Sequence, residues 1–251
     1  MMQNKFLVVT PVYNTAPYIE KCINSVLSQT YKNYEYIVVE DNSTDGTREI
    51  VRDIHNNIGG FKVCYNDVRT ESPLGNFAKG ISLVPGDKHD IIITVDGDDW
   101  LMDKKVLEFL NLIYQNKNIW LTYGQFISAS GKMRNYCKAI QDTQKYRRSN
   151  LWVTSHLRTI KRGLWEKIND ADLRDGNGKY YVYYPDIAYM FPAIEMAGKS
   201  HIQFLNKVLY VYNDMNQLCS VNDWKKKNTK AIYDIAKEIR MKPIYKEINE
   251  L

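Results

Sequence analysis

The sequence predicts an α/β fold in which a mostly parallel sheet is covered by helices on both faces. Over the first hundred residues, short apolar runs of strand length alternate with longer segments of helical periodicity. The strand-length runs are continuously apolar rather than alternating, which is typical of parallel strands buried on both faces. A chain of 251 residues that is 44% hydrophobic can also bury the large core that this architecture needs.

The elements of the first half are predicted from their apolar spacing and their boundaries. The helix after the first strand can be capped by Thr15, and it carries Ile19, Cys22, Ile23 and Val26 at helical spacing. The other helices of this half are predicted on the same grounds, and each strand is an apolar run that ends in turn-forming residues. The predicted strands cover residues 6–10, 34–40, 61–65 and 91–95. The first helix is predicted to begin after Thr15 with Pro17 in its first turn, the second to begin near Thr47, and the third to lie near residues 76–84.

The second half is predicted to be less regular. Its helices are expected over residues 105–114, 185–195 and 224–240, and its strands over residues 120–123, 201–204 and 208–212. Residues 131–150 are polar and basic with weak periodicity, which indicates a long loop. The lysines of the last helix are interpreted as a solvated face, with a membrane or partner surface as the alternative.

Composition excludes several classes of protein. The four cysteines lie far apart without a Cys-x-x-Cys pair, so neither a zinc site nor a disulfide framework is indicated. No apolar run reaches the roughly 18–20 residues of a membrane span. Because the N-terminal residues also lack a signal-peptide cleavage site, we expect a cytoplasmic protein, with peripheral attachment to a membrane as the alternative. The net charge of +5 suits an anionic ligand as readily as a nucleic acid.

Polar clusters follow three of the predicted strands, at residues 10–14, 40–45 and 96–99. In an open parallel sheet, ligands bind beyond the carboxyl ends of the strands, so we expect these clusters to meet on one rim. Asp96, Asp98 and Asp99 would repel one another unless a cation compensates their charge. One or two carboxylates together with substrate phosphates are the usual ligands of Mg²⁺ or Mn²⁺. The sequence therefore predicts a metal–phosphate site here, with a solvated helix-capping turn as the alternative.

The cluster after the second strand suits recognition of a nucleoside. A carboxylate there can accept hydrogen bonds from a base or from ribose hydroxyls. For Asp45, capping of the following helix is an equally good interpretation. The ring of Tyr13 could stack on a base or simply pack against the protein.

Four segments resemble family 2 glycosyltransferases of the GT-A fold: TPVYN (10–14), SVLSQTY (25–31), YIVVEDNSTDG (36–46) and VDGDDW (95–100). The resemblance implies a nucleotide-sugar donor, commonly UDP-linked, a divalent cation such as Mn²⁺ or Mg²⁺, and inversion of the anomeric centre. It places Asp98 at the metal and Asp96 toward metal or ribose, with Gly97 between them among the donor-binding residues. It also implies that Asp41 contacts the base of the nucleotide. The remaining residues that it assigns to the base pocket are Thr10, Pro11 and Tyr13.

The second half resembles the family more faintly. The segment YPDIAYMF (184–191) is similar to one in which these enzymes carry Glu-Asp at a helix start. Pro185 replaces that Glu, and the resemblance implies that Asp186 is the general base. The alternative is that Asp186 only caps the helix, in which case Asp172 and Asp175 are the next candidates for the base.

Two further points concern the remaining polar residues. The segment LGNFAKG (74–80) lacks an Arg that many relatives have, so Asn76 or Lys79 is expected to contact the diphosphate instead. His156 lies in a strand-like run, where a hydrogen-bonded core histidine is favoured over a ligand.

We expect a single domain over residues 1–251, with a nucleotide-binding half (1–100), an acceptor-side half (101–223) and a C-terminal helical segment (224–251). The expected partners are a nucleotide-sugar donor and a glycan, lipid-linked or protein acceptor, but no nucleic acid. The alternatives that use the Asp96–Asp98 cluster are a metal-dependent phosphohydrolase and a nucleotidyltransferase. A non-catalytic binding module would leave the three carboxylates unexplained.

Overall fold

A computed structural model describes residues 3–132, 136–217 and 229–251, and its strands form a single sheet. The eight strands within these residues lie in the order β3-β2-β1-β4-β7-β6-β8-β5. Their bounds are β1 Phe6–Val12, β2 Tyr34–Glu40, β3 Lys62–Tyr65, β4 Ile91–Thr94, β5 Trp100–Leu101, β6 Leu121–Ser128, β7 Ser155–Lys161 and β8 Ile202–Tyr212.

The sheet is mostly parallel, as predicted. Strands β3, β2, β1 and β4 run parallel, and β6 runs parallel to β8. The antiparallel pairs are β4 with β7, β6 with β7, and β5 with β8. Because β1, β2 and β4 all point the same way, the polar segments that follow them reach one rim, which is the arrangement expected from the sequence.

Helices cover both faces of this sheet. Their bounds are α1 Ile19–Leu27, α2 Thr47–Asn57, α3 Pro73–Leu83, α4 Val106–Ile113, α5 Thr143–Tyr146, α6 Arg162–Glu166, α7 Pro185–Ala197 and α8 Thr229–Met241, with short 3₁₀ turns at Asp170–Leu173 and Lys199–His201. Helix α3 begins three residues earlier than predicted. The reason is local, because the Ser72 hydroxyl caps it by accepting a hydrogen bond from the Gly75 amide and Pro73 is its first residue.

Alternate residues of β1 point into two separate cores. Leu7 and Val9 face the core that contains α3 and α7, whereas Phe6 and Val8 face the core that contains α1, α2 and α4. Glycine is needed at position 80, because a Cβ there would overlap Val9 and hold α3 away from the sheet. The close packing of α3 brings the residues at its beginning next to the rim.

Several predicted elements differ from those observed. The expected strands over residues 201–204 and 208–212 are one strand, β8, whose pairing with β6 shifts register near Gln125. Helix α5 lies inside the expected long loop, of which residues 133–135 are outside the described part. Of the helix expected over residues 224–240, the structure describes the part from Thr229. No described helix is both long enough and apolar enough to cross a bilayer.

Candidate active site

A cleft of about 1050 Å³ opens at the carboxyl ends of β1, β2 and β4. It brings together residues that lie far apart in the sequence. Tyr13 follows β1, Asp41 follows β2, Asp96 and Asp98 follow β4, and Asp186 enters from the start of α7. The predicted convergence of the polar clusters on one rim therefore matches the geometry.

The loop after β4 is held by contacts with its neighbours. A Cβ at Gly97 would lie 2.9 Å from Val12 Cγ2, so only glycine lets this loop approach the end of β1. Asp99 is fully buried. Its two carboxylate oxygens accept hydrogen bonds from the Tyr210 hydroxyl (2.8 Å) and from the Asn213 backbone amide (2.6 Å). The same Tyr210 hydroxyl accepts a hydrogen bond from the Asp96 amide.

The three carboxylates of this loop all have raised pKa values. Burial, followed by repulsion from Asp98, raises the pKa of Asp96 to about 6. Burial raises the pKa of Asp98, although the Asn216 amide donates a hydrogen bond to it at 2.8 Å. Burial, together with repulsion from Asp98 and Asp96, raises the pKa of Asp99 well above its ordinary value. Such a cluster is stabilised either by protons or by a bound cation.

Asp96 and Asp98 fit a divalent cation best. Asp96, Asp99 and His156 each offer an atom within 4.8 Å of the others. However, the Asp99 oxygens are engaged by β8 and the loop after it, and His156 Nε2 is engaged by Arg158. Asp96 and Asp98 line the cleft, and two fifths of the Asp96 side chain is exposed. Two carboxylates that leave room for phosphate oxygens are a typical Mg²⁺ or Mn²⁺ site.

His156 is a neutral, hydrogen-bonded side chain. The Arg158 Nη2 atom lies 2.8 Å from its Nε2, and because a guanidinium can only donate, Nε2 is the acceptor. The proton therefore sits on Nδ1 and points to Ser155 Oγ at 3.2 Å. Burial, followed by the charge of Arg158, lowers the pKa of His156 well below its usual value. Its ring stacks on Tyr210, which agrees with the predicted core histidine.

Asp186 lies in the first turn of α7, directly after Pro185. Its Oδ1 accepts a hydrogen bond from the Ile187 amide, and its Oδ2 lies 3.3 Å from Arg158 Nη1. Arg158 also donates to the Tyr189 hydroxyl, so the guanidinium is fixed between β7 and α7. Asp186 is one of the charges that raise the pKa of Asp96, after burial and Asp98. The two carboxylates therefore interact electrostatically across the cleft.

At the other side of the rim, the side chain of Asp41 is saturated with hydrogen bonds. One oxygen accepts from the Asn66 side-chain amide (2.7 Å) and the Thr70 backbone amide (2.8 Å). The other accepts from the Thr70 hydroxyl and the Glu71 amide. In the same loop, the Arg69 guanidinium lies 3.5 Å from the centre of the Tyr13 ring. A nucleotide base that stacked on this face of Tyr13 and bonded to Asp41 would therefore displace contacts made by this loop.

Two of the predicted site residues do not line the cleft. Thr10 is fully buried and its hydroxyl is hydrogen-bonded to that of Tyr36. The reason is that β1 continues to Val12, two residues further than predicted, so Thr10 lies within the sheet instead of at its end. Lys79 donates to the Asn66 side chain behind Asp41, whereas Asn76 does reach the cleft wall. Direct contact of Thr10 or Lys79 with a donor is not supported by this geometry.

The other candidate acids form hydrogen bonds within the protein: Asp172, Asp175 and Asp45. Asp172 accepts a hydrogen bond from the Tyr245 hydroxyl, and Asp175 accepts from two amides of its own turn. Neither lines the cleft. Asp45 accepts from the amides of Thr47 and Ala16, so it fixes the turn before α2, whose N-cap residue is Gly46.

Sequence reasoning missed Arg158, Tyr210, Asn216 and Arg69. The spacing of His156 and Arg158 could have indicated the first of these, because residues two apart in a strand point to the same face. No comparable signal existed for Tyr210 or Asn216, which reach the acid cluster through tertiary folding alone.

The profile of the family described as Glycosyl transferase family 2 matches residues 7–172. The chain belongs to this family. The match covers β1 from Leu7 onward and all of β2 to β7, but not β8. It thus confirms the family indicated by the four sequence segments.

Relatives of this family 2 member include glycosyltransferase GlyA of Streptococcus pneumoniae serotype 4. The two are 25% identical over 256 aligned residues, which cover 95% of this chain and 34% of GlyA. The chain therefore spans about a third of the length of that relative.

Solved structures confirm the GT-A fold of this family 2 member. S. aureus TarS 1–349 in complex with UDP-GlcNAc has a TM-score of 0.69 at 18% identity, over 94% of this chain and 65% of that one. A mannosyltransferase from Pyrobaculum calidifontis in complex with GDP-Man and Mn²⁺ has a TM-score of 0.65 at 16% identity, over 97% of this chain and 66% of that one.

Proposed function

We propose that this chain transfers a sugar from a nucleotide-linked donor, with UDP as the expected nucleotide, to an acceptor hydroxyl with inversion at the anomeric carbon. The observation that carries the proposal is the meeting of two carboxylate groups across one cleft. Asp96 and Asp98 lie at the end of β4, and Asp186 lies at the start of α7. The family membership and the GT-A neighbours bound to UDP-GlcNAc and GDP-Man support a nucleotide-sugar donor.

The nucleoside is assigned to the end of the cleft formed by Tyr13, Asp41 and Asn76. Tyr13 offers an aromatic face and Asp41 a carboxylate, which suit stacking and hydrogen bonding to a base or ribose. In this proposal the Arg69–Glu71 part of the loop leaves these two side chains when the donor enters. Pro11 also lines the cleft, and in this proposal its apolar ring forms part of the pocket wall.

The diphosphate is assigned to the neighbourhood of Asp96 and Asp98. A divalent cation held by these carboxylates, Mn²⁺ or Mg²⁺, would offset the charge that develops on the leaving diphosphate. Gly97 keeps the loop close enough to β1 for both carboxylates to face the cleft. Asn216 orients Asp98 through the hydrogen bond to its Oδ2.

Asp186 is proposed as the base. The acceptor oxygen forms a bond to the anomeric carbon, while the bond from that carbon to the diphosphate oxygen breaks and its electron pair leaves with the nucleotide. The acceptor proton passes to Asp186, which is held by Arg158 on one oxygen and by the Ile187 amide on the other.

The cytoplasmic location expected from the sequence, with peripheral attachment to a membrane as its alternative, is part of this proposal.

The decisive measurement is Mn²⁺-dependent release of UDP from a panel of UDP-sugars by the full chain, with water as the acceptor. In Asp186→Asn we expect the rate of release to fall by at least about 10²-fold, with UDP affinity unchanged. Asp172→Asn is the matched control, because Asp172 lies outside the cleft. Near-normal release in Asp186→Asn would refute its role as the base.

A phosphohydrolase or nucleotidyltransferase is distinguished by the bond that breaks. In ¹⁸O-labelled water, glycosyl transfer places the label on the anomeric carbon of the released sugar, whereas attack at phosphorus places it on phosphate. With an α-linked donor, inversion gives the β-anomer as the first product. Label on phosphate would overturn the proposed reaction.

A further inference from the structure

The cleft has a second, basic region where residues 147–152 meet α8. We call this region the basic mouth, and it is lined by Arg148, Trp152, Tyr233, Lys237 and Arg240. The region is built from specific contacts rather than from chance proximity. Arg240 donates to the carbonyl oxygens of residues 147, 149 and 151, and Arg148 donates to that of residue 242 at 2.8 Å.

The basic mouth has an excess of positive charge. Three of its side chains form no ion pair with any described residue: Arg148, Lys237 and Arg240. The hydrogen-bond acceptors of the two arginines are backbone carbonyl oxygens. The neighbouring Arg147 is different, because it is neutralised by the buried carboxylate of Glu195. The cleft is also lined by five carboxylates, and none of them belongs to residues 147–152 or to α8: Asp41, Glu71, Asp96, Asp98 and Asp186. The basic mouth is therefore complementary to an anion.

Large apolar side chains are exposed around the same region. Tyr233 and Met241 are each 66% exposed, Leu151 is 63% exposed and Val182 is 42% exposed. A single exposed apolar side chain is ordinary in a protein surface, but several around one cationic cleft indicate a binding surface. The combination suits a ligand that has an anionic group and an apolar part.

We propose that the basic mouth binds the phosphate or diphosphate of an acceptor whose phosphate carries a hydrocarbon chain. This inference rests on the proposed transfer reaction and names the acceptor class for it. Arg148 and Lys237 contact the phosphate oxygens, for which guanidinium and ammonium groups are the usual partners. The hydrocarbon chain lies over Tyr233 and Met241. The acceptor hydroxyl then extends along the cleft toward Asp186, which lines the same cavity.

The test is the affinity of the full chain for geranylgeranyl diphosphate, measured by calorimetry below its micelle concentration. Saturating UDP and Mn²⁺ are present, so that the donor's own diphosphate site is filled. We expect Lys237→Glu to weaken binding by at least about tenfold, because it replaces a charge-assisted contact by repulsion. Lys230→Glu is the matched control, since Lys230 is exposed on the same helix and does not line the cleft.

Two comparisons separate the apolar part from the anionic part. Inorganic pyrophosphate and glycerol 3-phosphate should bind at least about tenfold more weakly than geranylgeranyl diphosphate, and Tyr233→Ser should reduce that preference. Equal affinity for pyrophosphate, or unchanged binding in Lys237→Glu, would overturn the inference. UDP affinity in Lys237→Glu should equal that of the parent protein. Failure of the proposed function would instead be seen as absence of Mn²⁺-dependent UDP-sugar cleavage in the parent protein.

Discussion

Replacing one carboxylate of the acid cluster should make the metal-free protein more stable. A carboxyl whose pKa is higher in the folded protein binds its proton more tightly there than in the unfolded chain. The ionisation of Asp96 therefore lowers the free energy of unfolding as pH rises from about 4 to above 6. Asp96→Asn has the shape of the neutral acid but no charge to lose, so it removes this cost.

The size of the effect follows from the structure. A rise in the pKa of Asp96 from 3.8 to about 6 corresponds to about 3 kcal/mol. Because 40% of this side chain is exposed, solvent lessens both the burial penalty and the repulsion from Asp98, and we expect roughly half of that value, about 1.5 kcal/mol. In a domain of this size the change raises the melting temperature by roughly 3–6 °C.

The assay is urea unfolding in EDTA at pH 7.5 and at pH 4. Asp96→Asn should be more stable than the parent at pH 7.5, and most of the difference should disappear at pH 4. Asp53→Asn, on the exposed side of α2, changes the net charge equally and should not reproduce the effect. Added Mn²⁺ should stabilise the parent at pH 7.5 but not the Asp96→Asn protein. A variant that is no more stable than the parent at pH 7.5, or one with the same gain at pH 4, would refute the reasoning.

Three further predictions concern other contacts of the structure. Asp41→Asn places an amide donor against two of the donors that Asp41 now accepts from, so the free energy of unfolding should fall by about 2–4 kcal/mol in chemical denaturation. Arg147→Met leaves the buried Glu195 without its charged partner and should lower the free energy of unfolding by about 3–5 kcal/mol. The double variant with Glu195→Leu should restore most of that stability, and a double variant as unstable as Arg147→Met would contradict a buried ion pair. Gly97→Ala should cost about 1–3 kcal/mol and weaken Mn²⁺-dependent UDP binding by calorimetry, because its Cβ would press on the end of β1; unchanged UDP binding would argue against a tight loop.

The parallel half of the fold could be predicted because its information is local. The apolar runs of β1, β2 and β4 are bounded by turn residues, and the direction of these strands alone brings the polar clusters to one rim. The error in the end of β1 shows the limit of this reasoning. The predicted strand ends at Thr10, but Pro11 also lies in β1, opposite Val39, where its missing N–H is tolerated.

The second half could not be predicted in the same way, because its partners are chosen by tertiary contacts. The resemblance to a family segment predicts Asp186 as the base, but the distance from Asp186 to Arg158 depends on how α7 packs against β7. Similarly, the saturation of Asp41 by the loop at residues 66–71 depends on backbone amides, which carry no signal in the sequence.

The hydrogen bond from Tyr210 to Asp99 links residues that are 111 positions apart in the chain. During synthesis, the loop after β4 leaves the ribosome long before β8. Until β8 joins the sheet, Asp99 and the Asp96 amide lack their hydrogen bonds to the Tyr210 hydroxyl. Contacts of such long sequence separation form late, because the intervening chain must first be closed into a loop. We expect the donor site to be completed only after the last strand has joined the sheet. A nascent chain that stops before β8 would therefore lack these two hydrogen bonds of the acid cluster. The proposed cation binding would then report that β8 has joined the sheet.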